Sequence, residues 1–93
     1  MKNKFDIGDF VPTITVQSIK YDIVKRVKQR RKEFGITQKE LSKRSGVSYG
    51  SIRRFETNGD ISLHALLAIS SVLDCLEDFN EIFKNPIVKD IRR

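Results

Sequence analysis

Asp60, Ser62 and His64 fall within five residues, and they are the side-chain types of an acid, a nucleophile and a base. At that spacing all three crowd a helix start, where Ser and Asp are accounted for as caps. The chain holds no nucleophile–base–orienter set, so it is read as no enzyme. His64 is the one histidine and Cys75 the one cysteine, which excludes a multi-histidine or multi-cysteine metal site and an internal disulfide. No metal and no cofactor are expected, and no glycine-rich phosphate loop occurs.

What remains is the chemistry of charge. Eighteen Lys and Arg against twelve Asp and Glu give a formal +6 over 93 residues, with an isoelectric point near 9.7. That balance favours a polyanion, nucleic acid before an acidic membrane surface. The distribution is sharper than the sum. Residues 20–54 hold twelve basic and three acidic side chains, whereas residues 55–83 hold six acids and no Lys or Arg. One half attracts phosphate and the other repels it, as expected of a protein that docks on DNA in one orientation.

The longest apolar stretch, Ala65 to Leu76, is broken by Ser70, Ser71 and Asp74 and falls short of the roughly 20 residues a membrane span needs. Asp6 and Asp9 occupy the place of a signal peptide's apolar core. A cytoplasmic location with a reduced thiol is expected.

These groups must be positioned by short helices. Phe10 to Gln17 alternates with a period of two, which predicts one short N-terminal strand, confined to an edge by Pro12. From Ser18, a predicted N-cap, the period becomes helical through Ile19, Ile23, Val24, Val27 and Phe34, ending at Gly35. Thr37 and Glu40 form a capping box that opens a second helix to about Ser45. Gly46 supplies the positive φ of a tight turn, Ser48 caps a third helix, and Asn58-Gly59 ends it. Asp60 or Ser62 caps a fourth through Leu73, with Leu63, Leu66, Leu67 and Leu73 inward. A fifth is expected over 76–83, with Leu76, Phe79, Ile82 and Phe83 as its apolar positions. The fold class is therefore all-α, a compact five-helix bundle. Its parts are an N-terminal arm 1–17, a domain 18–84 and a basic tail 85–93.

Residues 37–59 read TQKELSKRSGVSYGSIRRFETNG. Leu41, Val47, Ile52 and Phe55 are apolar knobs, Ser42 is small where two helices approach, and Gly46 is the turn. That is what two helices crossing at a sharp angle require. The segment resembles the lambda-repressor-like (Cro-type, XRE) helix-turn-helix family. The resemblance is carried by Thr37-Gln38, Leu41, Gly46-Val47-Ser48, Ile52, Glu56 and Gly59, with Arg31 before them and the Leu-rich helix after, over roughly residues 20–83.

The resemblance implies that the helix after Ser48 lies in the DNA major groove. Base-reading positions would be Ser48, Tyr49, Gly50, Ser51 and Arg54, with Arg54 suited to a bidentate guanine contact. Gly50 departs from the family in having no side chain to read with. Thr37, Gln38, Arg53, Thr57 and Asn58 would meet backbone phosphate, Gln38 with the help of its helix N-terminus. Asp60 and Ile61 stand where relatives often carry basic residues. Arg31 and Glu56 would form a partly buried structural ion pair.

The function so implied is a sequence-specific DNA-binding transcriptional regulator, a repressor of double-stranded DNA. One such unit reads few bases, so a homodimer on a pseudo-palindrome is expected, with Phe79, Ile82 and Phe83 at its interface. An antitoxin that binds a toxin protein and represses their shared operon is a second reading. A helical protein-interaction module without DNA binding is a third, opposed by the intact Gln38, Arg53 and Arg54.

Overall fold

The computed structural model describes residues 14–87, and among them there is no strand. Four α-helices follow in order: α1 (Val16–Glu33), α2 (Gln38–Ser45), α3 (Tyr49–Asn58) and α4 (Leu63–Val72), before a 3-10 helix at Leu76–Glu81. The all-α, five-helix expectation holds.

Most boundaries follow local chemistry. Thr37 Oγ1 accepts the Glu40 amide at 3.0 Å while Glu40 Oε1 accepts the Thr37 amide at 2.8 Å, a complete capping box. Gly46 ends α2 at φ +78 and Gly59 ends α3 at φ +84, left-handed positions that favour glycine. Ser48 and Ser62 cap α3 and α4.

Three expectations are corrected. α1 starts at Val16 rather than after Ser18: Thr15 is the cap, and Ser18 completes its capping box from inside the helix. Val16 and Gln17 are therefore helical, not strand, and Ile14 and Thr15 lie in no strand either. The rest of the predicted strand, 10–13, lies outside the described residues, as does most of the basic tail. Leu63 stays 67% exposed, because the packed stripe of α4 starts a turn later, at Leu66, Ile69, Ser70 and Leu73. The fifth helix is a six-residue 3-10 segment, bounded by left-handed Asp74 and by Phe83 at φ +61. A run that short lacks the length to propagate an α-helix. Leu76, Ile82 and Phe83 are consequently exposed, while Phe79 is half-buried.

The core is Ile36, Leu41, Val47, Ile52, Phe55, Ile69 and Leu73, with Ile23, Val24 and Val27 of α1 packed against it. α1 lies on α3, and α2 on both α3 and α4. Ser42 Oγ donates to the Val47 carbonyl at 2.6 Å, so the small residue at the crossing also satisfies a turn carbonyl that burial would orphan. Ile52, Phe55 and Glu56 point inward, which turns the other side of α3 to solvent.

Candidate nucleic-acid interface

The outward side of α3 carries Tyr49, Gly50, Arg53, Arg54 and Thr57, all exposed, with Ser51 half-buried at its edge. Ser48 Oγ accepts the Ser51 amide at 3.1 Å and donates to Ser51 Oγ at 2.8 Å. Both functions of the Ser48 hydroxyl are thus engaged in the cap, and the Ser51 hydroxyl keeps its proton for an outside acceptor. A Cβ added at Gly50 meets nothing within 4 Å, so no protein atom requires glycine there.

Tyr49 is flanked by two cations. Lys39 Nζ lies 5.5 Å and Arg53 Cζ 5.6 Å from its ring centroid, within cation–π range. Arg53 therefore stands over the aromatic ring. Lys39 joins this candidate surface through that contact, and sequence reasoning missed it. Its neighbour across the helix crossing is ten residues away, and no local spacing announces the pair.

The Lys39–Tyr49 contact also joins the start of α2 to the start of α3. The α2 capping box satisfies the amides of Thr37 and Glu40, which leaves those of Gln38 and Lys39 pointing out of the helix end. Such an end favours an anion. Thr37 is exposed beside it. Glu40 takes part in the cap, and the Thr37 amide hydrogen bond holds its carboxyl below its ordinary pKa.

Behind this surface is the pair expected from the sequence. Arg31 Nε donates to Glu56 Oε2 at 2.8 Å and Arg31 Nη2 to Oε1 at 3.0 Å, with side chains only 11% and 4% exposed. Arg31 Nη1 also donates to the Ile36 carbonyl at 2.9 Å. Gln38 Nε2 donates to Glu56 Oε1 at 2.8 Å, so one of its two amide hydrogens is turned inward and the other is not used in that bond.

At the far end of α3, the Thr57 hydroxyl donates to the Arg53 carbonyl at 2.8 Å. Asn58 Oδ1 accepts the Asp60 amide at 3.0 Å, which leaves its Nδ2 hydrogens outward. Asp60 pairs with Lys20 at 2.7 Å. That hydrogen bond and charge, with Arg54 adding a smaller attraction, depress its carboxyl pKa. The acidic departure at this flank is therefore balanced by α1.

Asp60, Ser62 and His64 do not converge: Asp60 faces Lys20, and Ser62 caps the Ala65 amide. Among the described residues there is no group of three metal-ligating side chains, and no helix is long and apolar enough to cross a membrane. Phe79 and Ile82 line an open groove with Ile23, Val27 and Cys75, while Phe83 is 98% exposed beside it.

Comparison with known families finds that the model described as Helix-turn-helix matches residues 27–79, more than half of the chain. Curated proteins and solved structures give no match.

Proposed function

Because the chain belongs to the lambda-repressor-like helix-turn-helix family, whose members are DNA-binding transcription regulators, we propose that it is a homodimeric repressor reading a pseudo-palindromic operator through the major groove. The observation that carries this reading is the 5.5 Å approach of Lys39 to Tyr49. It supports the reading because the start of α2, whose free amides favour an anion, and the exposed side of α3 then share one surface, the arrangement needed to hold a phosphate while a helix meets base edges.

In this reading Tyr49 offers one phenolic hydrogen bond or an aromatic face for a thymine methyl, and Ser51 offers its free hydroxyl proton. Arg54 reads guanine with two parallel hydrogen bonds, worth about 1–3 kcal/mol against a wrong base. Gly50 admits the backbone close to the groove floor, and Ser48 positions the helix as its cap. Phosphates are met by the α2 amides, Thr37, the free amide hydrogen of Gln38, Arg53, and Asn58 at the far end, where the Thr57 hydroxyl proton is spent on the Arg53 carbonyl. Occupying promoter DNA in this way excludes polymerase, which needs no surface beyond the one described.

The dimer forms through Phe79, Ile82 and Phe83, whose exposed apolar area is otherwise left in water. Two copies would then present their α3 helices to half-sites about 34 Å apart, one turn of DNA.

The test is fluorescence anisotropy with a duplex from upstream of the protein's own gene, beside a scrambled duplex, titrated through salt. Preference for the first by at least ~10³-fold, falling steeply with salt, is the expected result. Equal weak binding to both duplexes overturns the assignment of this operator, and no binding at low salt overturns DNA recognition. Light scattering tests the dimer: wild type has the mass of two copies, and Phe83→Asp that of one folded copy.

A further inference from the structure

A second cationic surface lies on α1, apart from the residues given roles above. Lys25, Lys28 and Lys32 stand at i, i+3 and i+7 on one helix face. With Lys20, Thr57 and Asn58 they line an open groove of about 290 Å³ between α1 and the end of α3. None of the three has an ion-pair partner among the described residues. The one acid lining the groove, Glu56, is held by Arg31 and Gln38, and Lys20 is balanced by Asp60. Three uncompensated positive charges and the outward Asn58 amide therefore share one concave wall.

The groove's position says what could fill it. α3 has ten residues and so runs about 15 Å, somewhat more than the roughly 12 Å width of the major groove. With Tyr49 at base edges, the end of α3 at Asn58 reaches the wall of that groove, where a phosphate backbone passes. Lys25 to Lys32 covers two helical turns, about 10.5 Å. Four successive phosphates on one strand advance a similar distance along the duplex axis, at about 3.4 Å per step, so three lysines spread over that length fall within reach of three of them.

We propose that the Lys25–Lys28–Lys32 face of α1, with Asn58, is a second phosphate track that grips the backbone of the same duplex beside the half-site. It rests on the DNA-binding reading above and extends it: the track adds sequence-independent affinity and fixes the tilt of the domain, and the acidic C-terminal half stays away from DNA.

The test compares the full chain with its K25Q/K28Q/K32Q variant on a duplex enriched from a random-sequence pool by the wild type, and on a scrambled duplex. Circular dichroism and thermal melting confirm folding, and the single K28Q variant gives the same reading with one charge removed. Losing three phosphate contacts lowers the slope of log affinity against log salt by about 2–3, and K28Q lowers it by about 0.9. The preference for the enriched duplex is retained. The control is R26Q, which removes an exposed cation from the same helix but from the wall of the other groove; its slope equals that of wild type. An unchanged slope in the triple variant, an equal drop in R26Q, or a lost preference at unchanged slope each overturns the track while leaving DNA recognition standing. Wild-type protein that enriches no duplex overturns the parent reading, and the track with it.

Discussion

Gln38 Nε2 donates a 2.8 Å hydrogen bond to Glu56 Oε1, tying the first residue of α2 to the buried half of α3. Glu56 also accepts two hydrogen bonds from Arg31, so one carboxylate clamps three helices. The residue proposed to meet a phosphate at the α2 end is thereby fixed relative to the helix proposed to meet the bases. A polar group buried this deeply is stable only while every partner is present.

Glu56→Gln tests that clamp. It keeps the shape but leaves the Arg31 guanidinium, 11% exposed, without its counter-charge. Unfolding stability should fall by about 3–5 kcal/mol, read from chemical denaturation. The double variant R31M/E56L removes both charges and should lose less than E56Q alone, because no buried ion is left unpaired. If E56Q unfolds at the wild-type denaturant midpoint, the pair is not structural.

The Lys20–Asp60 pair predicts an acid dependence. The Asp60 carboxyl is depressed below its ordinary pKa by the Lys20 hydrogen bond and charge. A carboxylate lowered by folding contributes stability that is complete above its unfolded pKa of about 3.9. That contribution is lost as pH falls through the lower folded value. Melting temperature should therefore drop less steeply below about pH 4 in Asp60→Asn than in wild type. The difference should be small and should shrink with salt, because the pair is exposed. Parallel acid limbs for the two proteins would contradict the assignment.

How much of this was legible in the sequence depends on distance along the chain. Thr37 with Glu40, Gly46, Ser48, Gly59 and Ser62 act within four residues of themselves, so their signals survive without a fold. Thr15 shows the limit of that rule. It and Ser18 both carry hydroxyls three residues apart and cap reciprocally, and side-chain type alone does not say which lies outside the helix. Arg31–Glu56 was foreseen through the family resemblance. Lys39–Tyr49, Gln38–Glu56 and Lys20–Asp60 had no such guide, because each depends on how helices cross. The 3-10 segment escaped for another reason: Leu76, Phe79, Ile82 and Phe83 have helical spacing, but left-handed Asp74 and Phe83 confine the run, and the six residues Leu76–Glu81 wind as 3-10 turns.

Arg53 and Arg54 are adjacent yet should behave differently. Arg53 stands 5.6 Å from the Tyr49 ring centroid, whereas Arg54 is exposed on the outward side of α3. Arg54→Ala should relax preference at one base position by about 1–3 kcal/mol, seen as a single altered column in selected binding sites. Arg53→Ala should weaken all sequences alike, lower the salt slope by about 1 and leave every column unchanged. Reversed outcomes would exchange the two assignments.

Gly50 separates the needs of the fold from those of binding. It lies inside α3 with ordinary helical φ, and an added Cβ meets nothing within 4 Å. Gly50→Ala should therefore stabilise the free protein by up to about 1 kcal/mol, since alanine restricts the unfolded chain and favours helix. If the α3 backbone lies close to the groove floor, the same methyl group forces the helix outward and lengthens the neighbouring contacts of Tyr49 and Ser51. Operator affinity should then fall while melting temperature rises. Affinity that stays level or improves would mean that Gly50 lies away from the bases and that recognition passes through Tyr49, Ser51 and Arg54 alone.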